Sequence, residues 1–321
     1  MGDIANTFGA LLLGGLFAAM LSGVVTIQVI VYFKLYPTDP RYLKSFVLGI
    51  WLLDTCHTGF IWAALWEYII EYFGDASKID FIPWNIASTI VLTAILTFLV
   101  HGFSAHQIFK LSHRNWYLTA PIIVLAVLRL VSACATTGEM IRLHSFSEFK
   151  EHYWWLFTLG LALSSAVDII ITVCMFLLLQ TSRTGSASLK VVVDSLVRYT
   201  FETGFLTCAG TIVSMLCWLT MRDNLIFMGL HFVISKLYST SLLVTLNTRD
   251  TLRRARLQPS SDREFPTVLR LDTRGKKNTD STDASGQRPA SHDFTTSKAY
   301  QTKLEINVER SVQRDAGDGV M

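Results

Sequence analysis

Four charged residues stand inside long apolar stretches of this sequence: Asp54, Arg129, Asp168 and Lys236. A charge in hydrocarbon costs about 3 kcal/mol or more, so each needs an opposite partner or a water-filled cavity. Two acids and two bases can neutralise one another, and pairing of Asp54 or Asp168 with Lys236 or Arg129 is the expectation. The same groups could instead line a ligand pocket, an ion or proton path, or a conformational switch. His57, one turn after Asp54, and Tyr238, two residues after Lys236, complete the candidate ligand-binding or switch set.

Other chemistries find less support in the residues. A lysine midway along the last apolar run invites a retinal Schiff base, but the run before it supplies mainly Cys217 and Trp218, near one end, towards a cage. His57 and His101 fall at comparable depths, which admits a bis-imidazole haem or metal site. No second histidine pair accompanies them, so hydrogen-bonded core histidines are the expectation. No HExxH, GxSxG, phosphate-loop or dinucleotide pattern occurs, which leaves hydrolase and nucleotide chemistry without local support. No cofactor, metal or nucleic-acid partner is expected. Cys56, Cys134, Cys174, Cys208 and Cys217 all lie in apolar runs without a CxxC pair and read as small packing residues.

The elements that position these groups follow from composition. The 321 residues are 51% hydrophobic and 17% charged, where a soluble domain carries roughly 25% charge. The apolar residues collect in seven runs, about 9–33, 45–70, 84–109, 116–138, 154–180, 199–220 and 225–246. Each can span the roughly 30 Å hydrocarbon core as a helix. The fold class expected is therefore all-α, a polytopic seven-transmembrane helix bundle over residues 1–247. The weakest break is Arg222-Asp223-Asn224; without it, helices 6 and 7 would be one kinked element. The first run follows a start without Lys or Arg and is too long for a signal-peptide core, so it is expected to be retained.

Orientation follows from basic residues in the loops. Lys34, Arg41, Lys44, Lys110, Arg114, Arg183, Lys190, Arg198, Arg249, Arg253, Arg254 and Arg256 cluster on one side, against Lys78, Arg142, Lys150 and Arg222 on the other. The first set is expected to face the cytoplasm, with the N-terminus outside. All four intramembrane charges then lie about 14–21 Å from one end of their helices, between the midplane and the inner leaflet. Glu202 is expected to pair with Arg198 one turn earlier. Residues 248–321 read as a mostly disordered cytoplasmic tail, with Ser260, Ser261, Thr279, Ser281 and Thr282 open to phosphorylation. Its opening, Arg249 to Arg256, could extend helix 7 or lie along anionic headgroups.

Gln28-Val29-Ile30-Val31-Tyr32-Phe33, Trp51 to His57, Ile82-Pro83-Trp84 and Ser235 to Asn247 resemble the signatures of a basidiomycete fungal family of seven-helix membrane proteins, catalogued as a domain of unknown function (DUF6534). The resemblance implies seven helices in a fungal plasma membrane or endomembrane and brings no established activity. This chain departs from the family pattern at the end of helix 3, where His106-Gln107 stands in place of an aromatic-Arg pair. The leading functional expectation is a receptor-like or sensory protein with a small, lipophilic ligand in the bundle and a cytoplasmic partner at the inner loops and tail. A transporter or channel using the same charges comes second, and a membrane-embedded enzyme or haem protein third.

Overall fold

Backbone in lipid must satisfy its own hydrogen bonds, and a helix does so within one segment. The computed structural model describes residues 5–73, 75, 78, 80–181, 187–221 and 224–257, with the side chains of all of these except 5, 6, 179, 181, 187–203 and 250–257. Its seven α-helices are α1 (Ala10–Leu35), α2 (Arg41–Trp66), α3 (Trp84–Leu111), α4 (Trp116–Leu143), α5 (Phe146–Thr181), α6 (Ala187–Thr220) and α7 (Ile226–Leu257). π-Helical turns Ala5–Gly9 and Glu67–Glu71 precede α1 and follow α2. There is no strand among the described residues, only an isolated bridge between Phe81 and Ser145.

Six of these helices carry stretches long and apolar enough to cross a bilayer, and α6 contributes a shorter apolar stretch, Gly204–Thr220, among the described residues. The outward faces agree. Phe17, Met20, Ile27, Val131 and Leu177 are all exposed, and a water-soluble surface rarely offers contiguous apolar area on that scale. The six apolar helices and these exposed faces fit an integral membrane protein. Trp66, Trp84, Trp116, Tyr117, Trp154 and Trp155 lie exposed at helix ends, where amphipathic rings favour the headgroup layer.

One boundary differs from the sequence expectation. The α5 helix begins at Phe146, and Tyr153 leaves helical geometry (φ −125°, ψ 18°). A short helical segment therefore precedes the span expected from 154. α7 runs through the basic stretch to Leu257, the first of the two alternatives that the sequence left for Arg249 to Arg256, because Arg, Leu and Ala favour helix whether or not lipid surrounds them. Between α6 and α7, Asn224 accepts a bond from the Ile226 backbone N–H (3.2 Å), a side-chain cap that starts α7 as a separate helix. Residues 222–223, the turn at 182–186, the tail beyond 257 with its Ser/Thr sites, and the Arg198–Glu202 pair lie outside what is described.

The helices close a ring in which α1 packs on α2 and on α7, while α3 also reaches α5 and α7 from within. At the α1–α7 crossing Gly14 and Gly229 bring backbone against backbone. Three apolar clusters fill the interior. One, with Leu11, Ile61, Ile86, Phe157, Trp218 and Phe227, occupies the end where α3, α5 and α7 begin. The others, around Tyr32, Val47 and Leu246 and around Ile108, Ile122 and Met175, occupy the opposite, basic end. The polar interior lies between them.

Short ties fix both ends. Asp80 accepts from Ser145 and Ser147, and Tyr68 donates to the Phe81 carbonyl (2.6 Å), joining the α2–α3 and α4–α5 connections. At the basic end Arg249 meets Asp39 at 2.7 Å and lies over the Tyr36 ring, and Tyr32 also donates to Asp39. Burial opposes the Asp39 charge, yet the bonds from Arg249 and Tyr32 and the nearby Lys44 hold its carboxyl below the ordinary value. A lowered folded value means the tie stabilises above about pH 4, the unfolded value, and is lost as pH falls through the folded one. Thermal unfolding across that range should show wild type losing an acid-sensitive increment that Asp39→Asn lacks; parallel profiles would contradict it.

Candidate functional site

Asp54 on α2 and Lys236 on α7 meet in a sealed interior. Their charged atoms are 3.0 Å apart and both residues have 0% exposure. The ammonium also donates to the Asp54 carbonyl (2.8 Å) and to the Thr58 hydroxyl (2.7 Å), so each of its three protons has an acceptor. Ser22 of α1 and Ser239 of α7 donate to the two carboxylate oxygens at 2.6 and 3.3 Å. Three helices, α1, α2 and α7, are locked by one satisfied pair.

Asp168 on α5 carries the second network. One carboxylate oxygen lies 3.0 Å from His101 Nε2 on α3; the other accepts from the Tyr238 hydroxyl on α7 at 2.6 Å. An ionised carboxylate can only accept, so Nε2 carries a proton towards Asp168, and the other ring nitrogen, Nδ1, is buried without a protein partner. Arg129 on α4 does not reach Asp168 directly. Its Nε donates to Ser164 at 2.6 Å, and Ser164 in turn bonds Tyr238. The expected pairing of acids with bases thus forms once, at Asp54–Lys236, while Arg129 and Asp168 communicate through two hydroxyls.

His57 takes a different partner from His101, the Thr93 hydroxyl at 3.1 Å. His231 of α7, 1% exposed, sits beside the Phe157 ring with both nitrogens unpartnered in the protein. Sequence reasoning passed over Ser22, Thr58, Ser164 and Ser239, which complete the two networks. A weak signal existed for two of them: Ser164 precedes Asp168 by one helical turn and Ser239 follows Lys236 by three residues.

The two networks differ in access. A cavity of about 50 Å³ opens between α3, α5, α6 and α7, and Asp168, His101 and Tyr238 form one end of it. Thr207 of α6 also lines it, and along α3 and α7 its lining continues past Ser104, Gln107 and Thr245. Asp54 and Lys236 do not line it. In the opposite direction Phe157, Trp218 and Phe227 pack ring against ring at 4.7 to 5.6 Å and close the interior.

No curated protein matches the chain. The family match begins within α5 and runs through α6 into α7, so the motifs of α1 to α3 lie outside it. Residues 164–251, which hold Ser164, Asp168, Lys236 and Tyr238, match DUF6534, a family of unknown function.

Proposed function

We propose that this membrane protein is receptor-like or sensory, with Asp54, His57, Arg129, Asp168, Lys236 and Tyr238 as a polar switch layer and the cavity at Asp168 as its ligand-binding end. The carrying observation is the contrast between the two acids: Asp54 is sealed with its lysine, whereas Asp168 borders a cavity. A sealed pair fixes α1, α2 and α7 as a frame. A ligand at Asp168 acts where α3, α5 and α6 meet the α7 side of that frame, and differential affinity for two arrangements of α3, α5 and α6 against it shifts their populations. With the basic end in the cytoplasm, that shift reaches the inner loops, where a cytoplasmic partner would read it.

A transporter needs a route through both halves, and the packed aromatic cluster on the far side of the layer favours a one-sided site over a channel. The test uses a fluorophore on Lys110→Cys, at the exposed last turn of α3, in a background without the native cysteines. Asp168→Asn and Tyr238→Phe should each change its emission, and proteoliposomes should carry no proton flux that Asp168→Asn removes. A label indifferent to both variants, or an Asp168-dependent flux, would sink the receptor reading.

A further inference from the structure

The cavity is too small for most organic ligands. Pockets for drug-sized molecules hold roughly 300–1,000 Å³, against about 50 Å³ here. A single water needs about 10–15 Å³ measured in the same way, so the space suits a few waters or a partly hydrated ion. Size alone removes a bulky lipophile from this arrangement of the helices.

Charge and ligand chemistry narrow the choice further. Asp168 is 5% exposed, and each of its oxygens accepts one bond, from His101 and from Tyr238. A carboxylate offers about four lone-pair sites, so two remain. His101 is 2% exposed, lines the same cavity, and has a buried ring nitrogen, Nδ1, without a protein partner. The remaining polar lining is neutral and oxygen-bearing, including Ser104, Gln107 and Ser241, and no lysine or arginine lines it among the described residues. Arg129, the nearest base in the network, is turned to Ser164 and borders a separate small void with Ile90 and Gly160. An acid at the end of a small cavity lined by neutral oxygens attracts a hard cation and repels an anion.

We infer that the Asp168 cavity binds a small monovalent cation of the sodium or potassium class, held by the Asp168 carboxylate and neighbouring hydroxyl and amide oxygens. This inference rests on the receptor-like reading by naming the occupant of its site. A bound cation would place a positive charge in contact with the Asp168 carboxylate, whose hydrogen-bond donors in the structure are His101 and Tyr238. Arg129 is close enough for its charge to act on Asp168, but it makes its hydrogen bond to Ser164 and leaves the carboxylate without a cation in contact. The bound ion draws α3, α5 and α7 together around one carboxylate.

The experiment uses the full chain in lipid nanodiscs, with sodium chloride, potassium chloride or N-methylglucamine chloride at equal ionic strength. Thermal unfolding should shift upward in a concentration-dependent way with one or both alkali ions and not with the bulky organic cation. Asp168→Asn should weaken that shift at least about tenfold, because a charged ligand becomes neutral, and Ser241→Ala should weaken it less. If Asp168→Asn does not fold, radioactive sodium binding to wild type, displaced by unlabelled sodium and not by N-methylglucamine, carries the same information. Equal shifts in all three salts, an undiminished response in folded Asp168→Asn, or absent sodium and potassium binding overturns the inference. Failure of the two readings is separable. Cation binding that leaves the Lys110→Cys fluorophore unchanged supports the cation site while removing the switch; a responsive fluorophore without cation binding does the reverse.

Discussion

Lys236→Met is expected to destabilise the bundle by about 3–5 kcal/mol, because it leaves the Asp54 carboxylate buried without its counter-charge. The lost partner is well defined. Lys236 donates to the Asp54 carboxylate, to the Asp54 carbonyl and to Thr58, and neither charged residue touches solvent or lipid. Asp54→Leu alone should fail comparably, since the ammonium then lacks its anion. The double variant should recover much of the loss, as replacing an entire buried pair with apolar groups is often neutral. Recovery will be partial, because the Ser22 and Ser239 hydroxyls lose their acceptor. Unfolding in mixed micelles checks all three variants. Additive losses in the double variant would mean that the two charges do not depend on each other.

The reach of the sequence can be judged at these same residues. Charges inside apolar runs are conspicuous because hydrocarbon makes them costly, so Asp54, Arg129, Asp168 and Lys236 could be picked out at once. Their depths, read from helical rise, put acids and bases within the same layer. The pairings were harder, since hydropathy fixes depth along a helix and not which helices stand side by side. Asp54 found Lys236 because α2 and α7 are brought together, whereas Asp168 met His101 and Tyr238 first and Arg129 turned to a serine.

Hydroxyl partners were the least legible part of the site. Serines and threonines in these helices commonly donate to their own backbone one turn earlier, as Thr26 does to Ser22 and Thr97 to Thr93. Nothing in the local pattern separates such a residue from Ser22 or Ser164, which reach across to another helix. Helix number and class followed from the runs themselves. The helix ends did not, because α7 crosses from apolar to basic residues without leaving helical geometry.

Gly14→Ala is expected to separate α1 from α7 and to cost about 1–3 kcal/mol, with Gly14→Leu worse. A β-carbon at Gly14 would lie 2.6 Å from the Gly229 carbonyl oxygen and 2.7 Å from its carbon, and one at Gly229 would lie 2.5 Å from the Ala10 carbonyl oxygen. These neighbours are backbone, which cannot rotate aside as a side chain can. The same helices supply internal controls. Gly23 of α1 and Gly49 of α2 have nothing within 4 Å of a built β-carbon, so alanine there should be neutral or stabilise by about 0.5–1 kcal/mol through lost backbone freedom. The crossing also ties into the polar layer. Ser22 lies two turns beyond Gly14, and Lys236 two turns beyond Gly229, so widening the crossing should strain the contacts of both residues with Asp54. Gly14→Ala and Lys236→Met should therefore combine less than additively, since neighbouring changes that weaken one network share part of their cost. Unfolding of the two single variants and the double variant measures this directly. A Gly14→Ala protein as stable as Gly23→Ala would show that the helices are not held by backbone contact at this crossing.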